Sequence, residues 1–202
     1  NQFPDGLREP VLAWMDAMAE LGQRLLGLLA AGLGLDEGWF REWLTADPVV
    51  LFRIFHYPPQ PQAAPGWGVA EHTDYGLLTL LAQDHNGGLE VRVDDPWVEV
   101  PAEPDGLVCN LGDMMEAITA RRYRSTLHRV RNVSGRERLS FPLFFDPSWD
   151  ARVTPLPDSV FAGEAPPEDD AVTRWDGASV HEWDGAYGDY LTAKVARVFP
   201  DL

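Results

Sequence analysis

Residues 71–100 read Glu71-His72-Thr73-Asp74-Tyr75-Gly76-Leu77-Leu78-Thr79-Leu80-Leu81-Ala82-Gln83-Asp84-His85-Asn86-Gly87-Gly88-Leu89-Glu90-Val91-Arg92-Val93-Asp94-Asp95-Pro96-Trp97-Val98-Glu99-Val100. Three short apolar runs, Leu77 to Ala82, Gly88 to Val93 and Trp97 to Val100, are separated here by the turn clusters Asn86-Gly87-Gly88 and Asp94-Asp95-Pro96. Short runs between Gly, Asn, Asp and Pro clusters are the signature of strands joined by tight turns. The same texture extends outward in Val49 to Tyr57, Leu107 to Leu111 after Pro104-Asp105-Gly106, Thr126 to Asn132 and Leu139 to Phe145. Seven short strands at this spacing predict an antiparallel barrel or sandwich.

Helical patterns flank that core. Between residues 10 and 33, Val11, Leu12, Trp14, Met15, Met18, Leu21, Leu25, Leu28 and Leu29 recur at three- and four-residue intervals, which predicts an amphipathic helix. A shorter helix is expected from Asp36 to Thr45, ended by Asp47-Pro48, and a last one from about Val180 to Val198. Pro58 to Pro65 and the acidic stretch Pro155 to Asp170 read as loops. With no internal repeat and no linker composition, residues 1–202 are expected to form one mainly β domain: a helical flank (1–48), a β core (49–150) and a C-terminal loop and helix (151–202).

Composition narrows the function classes. A hydrophobic fraction of 45% with 11% aromatics supplies a substantial core. The net charge of −16 argues against a nucleic-acid partner. The chain has no run of about 18 apolar residues and its start lacks a signal-peptide layout, so no membrane partner is expected. A lone cysteine, Cys109, fits a reducing, cytoplasmic setting and is expected to be a small buried hydrophobe. Asn1 is not read as the natural start. Seven of the sixteen basic residues, the arginines at 121, 122, 124, 129, 131, 136 and 138, crowd into one stretch, a candidate anion-attracting region.

The chemistry begins with His72 and Asp74. In an extended segment, residues two apart project to one face, so an imidazole and a carboxylate point together. An H-x-D pair alone is a common coincidence, but His128, in the alternating run Ser125 to Val130, supplies a third group. Two histidines and one carboxylate make a facial triad that leaves three positions of an octahedral iron(II) open, as oxygen activation requires. Ten residues further on, Arg138 and Ser140 form another same-face pair. A guanidinium fork and a hydroxyl are a compact receptor for the far carboxylate of a small dicarboxylic acid.

These motifs, in their order, resemble the isopenicillin N synthase-like branch of the iron(II)/2-oxoglutarate dioxygenase superfamily. The likeness runs from Tyr57-Pro58-Pro59 through Glu71 to Leu81, Gly88-Leu89, Trp97-Val98, Asn110-Leu111-Gly112-Asp113 and Tyr123 to Val130, to Arg138-Leu139-Ser140 and Phe144 to Pro147. The resemblance implies a double-stranded β-helix (jelly-roll) core with flanking helices. It implies iron(II) held by His72, Asp74 and His128, with the co-substrate 2-oxoglutarate bound by Arg138, Ser140 and Tyr57. Asn110 and Asp113 are read as turn and strand-end residues that hold the metal strands, and Phe144 as either core or cavity wall. His56, His85 and His181 fit no ligand pattern.

The activity so implied uses O2 and couples oxidative decarboxylation of 2-oxoglutarate to hydroxylation or a related oxidation of a small molecule. Two alternatives stand beside it: an iron-dependent oxidase needing no 2-oxoglutarate, and a non-catalytic metal-binding protein on the same fold. The resemblance also implies a substantial region ahead of Asn1 that helps to enclose the substrate pocket. The residues leave the oligomeric state undetermined.

Overall fold

The computed structural model describes residues 4–59, 66–92, 96–132, 134–161 and 179–198. Most of the expected Pro58 to Pro65 loop, Val93 and the Asp94-Asp95 turn, and the larger part of the loop expected from Pro155 to Asp170 lie outside these residues.

The chain opens with helix α1 (Arg8–Gly32) and the five-residue α2 (Trp39–Trp43), followed by strands β1 (Pro48–Phe52), β2 (Phe55–Tyr57), β3 (Val69–His72), β4 (Leu78–Gln83), β5 (Leu89–Arg92), β6 (Trp97–Val100) and β7 (Val108–Leu111). Helix α3 (Asp113–Ile118), β8 (His128–Val130), the eleven-residue β9 (Arg138–Ser148), β10 (Arg152–Val153), β11 (Gly185–Ala186) and α4 (Tyr187–Val198) complete it. The larger sheet runs β1-β9-β4-β7 with β2 also on β9, and the smaller runs β3-β8-β5-β6. Every pairing is antiparallel, as expected for a jelly roll.

Alternation along β9 decides what each face of the larger sheet does. Leu143 and Phe145 project toward the helices and join Leu78, Leu26, Ala30 and Phe40 in the main core. α1 shows why a helix fits there: Met15, Met18, Ala19, Gly22, Leu26 and Ala30 recur on one side, and the bare Cα of Gly22 lets the Phe145 ring approach closely, since a Cβ there would lie 2.9 Å from it. The other face of β9 turns toward the smaller sheet. Tyr57 and Leu81 from the larger sheet meet Leu89 and Val130 from the smaller, so the two sheets oppose one another around a small interior cluster.

Several boundaries differ from the sequence reading. The run from Val49 to Tyr57 keeps one register on β9 but is broken at Arg53-Ile54. Strand β8 is only three residues of the expected seven: Thr126 and Leu127 belong to the irregular segment that follows the turns after α3, and Arg131 and Asn132 lie beyond its other end. The expected C-terminal helix begins at Tyr187, preceded by a single 3-10 turn (Val180–Glu182) and β11. Helix α3 falls in a stretch without helical periodicity; its six residues are all buried, so no amphipathic stripe marks it. Cys109 is exposed rather than buried, because β7 is the outer strand of its sheet.

Phe145→Ala, which empties the contact with Gly22, is expected to cost roughly 3–5 kcal/mol of unfolding free energy. Leu28→Ala, at a position 68% exposed on α1, is expected to change it by less than about 0.5 kcal/mol. Urea denaturation followed by circular dichroism measures both.

Candidate active site

Strands β3 and β8 are neighbours, and their register sets His72 directly opposite His128, with ring centroids 4.2 Å apart. Each Nδ1 lies 2.8 Å from a backbone carbonyl two residues earlier, Ala70 for His72 and Thr126 for His128. A carbonyl only accepts, so each Nδ1 carries the hydrogen and each Nε2 keeps its lone pair free. Those Nε2 atoms lie 3.7 and 3.8 Å from Asp74 Oδ1. The three side chains present one ligand atom each within 4.8 Å of one another, and could hold a metal ion. Burial, and then the neighbouring His128, hold His72 below the ordinary imidazole value. Its neutral, ligating form is therefore favoured at neutral pH.

The carboxylate is held as firmly as the rings. Asp74 Oδ2 accepts from Thr79 Oγ1 at 2.6 Å and from Asn110 Nδ2 at 2.8 Å, while the Asp113 N–H donates to the Asp74 carbonyl at 2.8 Å. Both side-chain donors occupy the same oxygen, which leaves Oδ1 facing the histidines. Thr79 and Asn110 are cross-strand partners on β4 and β7, so one rung of the sheet delivers both. Asn110 thus lies within a strand and grips the carboxylate itself, a more direct part than the turn position expected. Asp113 opens α3, and its carboxylate accepts from Tyr190 Oη at 2.8 Å. The sequence reading missed Thr79, although a hydroxyl inside the run Leu77 to Leu81 was a visible signal.

Tyr57, Arg138 and Ser140 also converge. Tyr57 pairs with Arg138 across β2 and β9, its hydroxyl lies 3.3 Å from Ser140 Oγ, and the guanidinium sits 4.8 Å over its ring. Arg138 is fully buried. Its Nε donates to the Gly87 carbonyl at 2.6 Å and its Nη2 to Gln83 Oε1 at 3.0 Å. The Gly87 carbonyl is presented by two successive left-handed residues, Gly87 (φ 65°) and Gly88 (φ 88°), a conformation that glycine adopts without strain. Both anchors of Arg138 are neutral, Nη1 has no partner, and burial lowers the guanidinium's pKa. A buried cation with a spare donor is costly unless an anion completes it.

Other candidates fall elsewhere. His56 is exposed, on the opposite parity to Tyr57, and its Nε2 lies 3.9 Å from Glu137; His85 is exposed, and His181 lies against Glu116. Register puts Phe144 on the face of Ser140 and Thr79, half-buried, a cavity-wall position. The arginine-rich stretch does not form one patch: Arg129 pairs with Glu90 at 2.6 Å between the rings of Trp67 and Trp97, Arg122 lies over Phe161, and only Arg138 reaches the anchor.

The family model of the 2OG-Fe(II) oxygenase superfamily matches residues 48–147, which include every residue of the triad and the anchor. A probable iron/ascorbate oxidoreductase of Dictyostelium discoideum is 40% identical over 98% of this chain and 58% of its own length. The 2-oxoglutarate-dependent dioxygenase citB of Monascus ruber is 41% identical over 82% of this chain and 51% of its own. Among solved structures, JOX2 in complex with 2OG, Fe and JA superposes with a TM-score of 0.78 at 27% identity, covering 96% of this chain and 54% of that one. The rice dioxygenase for auxin oxidation superposes at 0.77 with 29% identity, covering 98% and 62%. The chain belongs to the 2OG-Fe(II) oxygenase superfamily. It spans between half and three-fifths of the length of the curated relatives quoted. The family's iron(II) and 2-oxoglutarate fit what is present: two free imidazole Nε2 atoms beside a free carboxylate oxygen, and a buried guanidinium with an unpartnered donor.

Thr79→Val and Asn110→Ala each remove a donor from Asp74, and each is expected to weaken divalent-metal binding about 10- to 100-fold, read by competition of Mn(II) or Co(II) with a chelating dye. A second expectation concerns Asp146, at the far end of β9, which accepts from Tyr187 Oη. Burial, with Asp74 nearby, pushes its carboxyl from 3.8 up to about 7 against the lowering effect of the Tyr187 bond. A carboxyl raised on folding lends stability at acid pH that is lost as pH rises through its folded value. Asp146→Asn has no proton to lose, so the metal-free variant is expected to gain on its parent as pH rises from about 4 to about 7, by up to roughly 4 kcal/mol, and to hold that gain above. Melting temperatures across that range check the sign.

Proposed function

We propose that this chain is the catalytic core of an iron(II)- and 2-oxoglutarate-dependent oxygenase acting on a small molecule, with His72, Asp74 and His128 as the metal ligands and Arg138, Ser140 and Tyr57 as the co-substrate anchor. The observation that carries this reading is the fully buried Arg138, whose Nη1 is unpartnered on the sheet face that also carries Thr79, the donor to Asp74. A metal triad alone fits many chemistries. A dry guanidinium on the same face calls for an anion that reaches from it toward the metal, and a dicarboxylic keto acid has a carboxylate for each end.

When bound, the metal and 2-oxoglutarate would supply oxidative chemistry with O2 as the oxidant, one oxygen atom going to the succinate formed as the co-substrate loses CO2 and the other to the substrate, or to water where the substrate loses hydrogen instead. The chain's own contribution is placement. Ala70 and Thr126 fix the tautomers of His72 and His128, so that both present Nε2. Thr79 and Asn110 tie down Asp74 Oδ2 and leave Oδ1 for the metal. Arg138 and Ser140 set the co-substrate's far end, and the apolar cluster of Leu81, Leu89 and Val130 keeps the interior dry, which strengthens each of these electrostatic contacts.

The test is succinate formation by the chain supplied with iron(II), 2-oxoglutarate and O2. His72→Ala and Asp74→Ala are expected to abolish it together with metal binding. Arg138→Gln, losing a charge-assisted contact, is expected to raise the 2-oxoglutarate requirement about 10- to 100-fold. Oxygen uptake that is indifferent to 2-oxoglutarate, or failure of the anaerobic chain to develop a visible charge-transfer band with iron(II) and 2-oxoglutarate, would defeat the reading.

A further inference from the structure

The segment from Leu51 to Tyr57 runs along one edge of β9 in a single register. Leu51 pairs with Phe144, Phe55 with Ser140 and Tyr57 with Arg138, and the Arg53 N–H donates to the Pro142 carbonyl at 3.0 Å, so the ladder continues through the break between β1 and β2. Cross-strand partners share a face and alternate residues along a strand return to it. Leu51, Arg53, Phe55 and Tyr57 therefore all lie on the face of Arg138, Ser140 and Phe144.

Continued across β4 and β7, that register forms successive rungs. One joins Leu51, Phe144, Thr79 and Asn110, the last two being the residues that hold Asp74. Another joins Phe55, Ser140 and Gln83, with Arg138 and Tyr57 beyond it. Between them lies the rung of Arg53, Pro142, Leu81 and Val108, each rung about 7 Å along the strands from the next. Arg53 thus stands level with the gap between the metal rung and the co-substrate anchor, on the open edge of the sheet.

Unlike Arg138, Arg53 is exposed, and among the described residues no carboxylate pairs with its guanidinium, in a chain carrying 32 Asp and Glu. Its neighbours on the face are apolar: Leu51, 44% exposed, and the half-buried Phe55 and Phe144. A free guanidinium set among apolar side chains recognises an apolar body that ends in one anionic group.

We propose that Arg53 is a specificity-determining residue, and that the oxygenase's prime substrate is an apolar monocarboxylate whose carboxylate it holds at the cavity edge, leaving the apolar body over Leu51, Phe55 and Phe144. This deepens the proposed function and rests on it.

The experiment pairs acids with their uncharged amides: phenylacetate with phenylacetamide, and indole-3-acetate with indole-3-acetamide. Binding is followed by isothermal titration calorimetry on the full chain carrying iron(II) and saturating 2-oxoglutarate under nitrogen, so that the Arg138 anchor is already filled. Each acid is expected to bind at least about 10-fold more tightly than its amide, the worth of one charge-assisted contact. Arg53→Gln is expected to bring that ratio close to one, and Arg53→Lys to retain most of it. Equal binding of acid and amide by the parent, a preference that survives Arg53→Gln, or an acid that competes with 2-oxoglutarate and so sits at Arg138, would overturn the proposal. Repeating the titration without 2-oxoglutarate separates the two readings. A chain that never binds 2-oxoglutarate refutes the proposed function, while an acid preference abolished by Arg53→Gln still locates the anion at Arg53.

Discussion

The register of β9 is the constraint on which the remaining structure depends. Its side chains alternate, with Arg138, Ser140, Pro142 and Phe144 toward the smaller sheet and Leu139, Phe141, Leu143 and Phe145 toward the helical side. Strands β1, β2 and β4 all take their own registers from it. A slip of one residue would turn Arg138 and Ser140 off the inner face and Leu143 and Phe145 away from the helices, so burial on both faces enforces one alignment. The Phe145 ring against Gly22 of α1 is the packing contact that fixes it from outside. A helix that touches none of the reactive groups thereby helps to place all of them.

Much of this was legible in the sequence, and the reasons are local. The two same-face pairs, His72 with Asp74 and Arg138 with Ser140, follow from strand periodicity, and the structure brings each pair together with its third partner. Tyr57 joins its pair because it sits opposite Arg138, a cross-strand fact that spacing along the chain does not contain. Thr79 and Asn110 were harder to read for the same reason: their part depends on β4 and β7 being neighbours. Helix α3 was illegible because burial on every side erases periodicity, and the short β8 because an alternating pattern does not show how much of it pairs: only His128 to Val130 meet β3 and β5. Cys109 was misread because an apolar run carries no sign of which strand will lie at a sheet edge.

The interior also shows where the rule that buried polar groups find partners is relaxed. Asp74, Asp113 and Glu116 each accept from named donors. Among the described residues, Arg138 Nη1, Gln83 Nε2 and Asp146 Oδ1 are among the few buried atoms left without one. Two of these three belong to a single rung and its neighbour at the co-substrate anchor, and they are donors. Unmet buried donors of that kind are tolerated where a ligand completes them, and they make the empty anchor less favourable than the filled one.

Charge sharpens the same argument. A chain of net charge −16 would repel a dianionic keto acid at long range, yet in physiological salt that repulsion fades beyond about 8 Å. Inside, the terms that matter are short and little screened: a buried guanidinium on β9 and, three rungs along the same face, the Thr79 hydroxyl that holds the Asp74 carboxylate. The acidic surface therefore sets where anions do not gather, while the buried Arg138 guanidinium, with a donor unpartnered, is the point in the interior where a negative charge is most favoured.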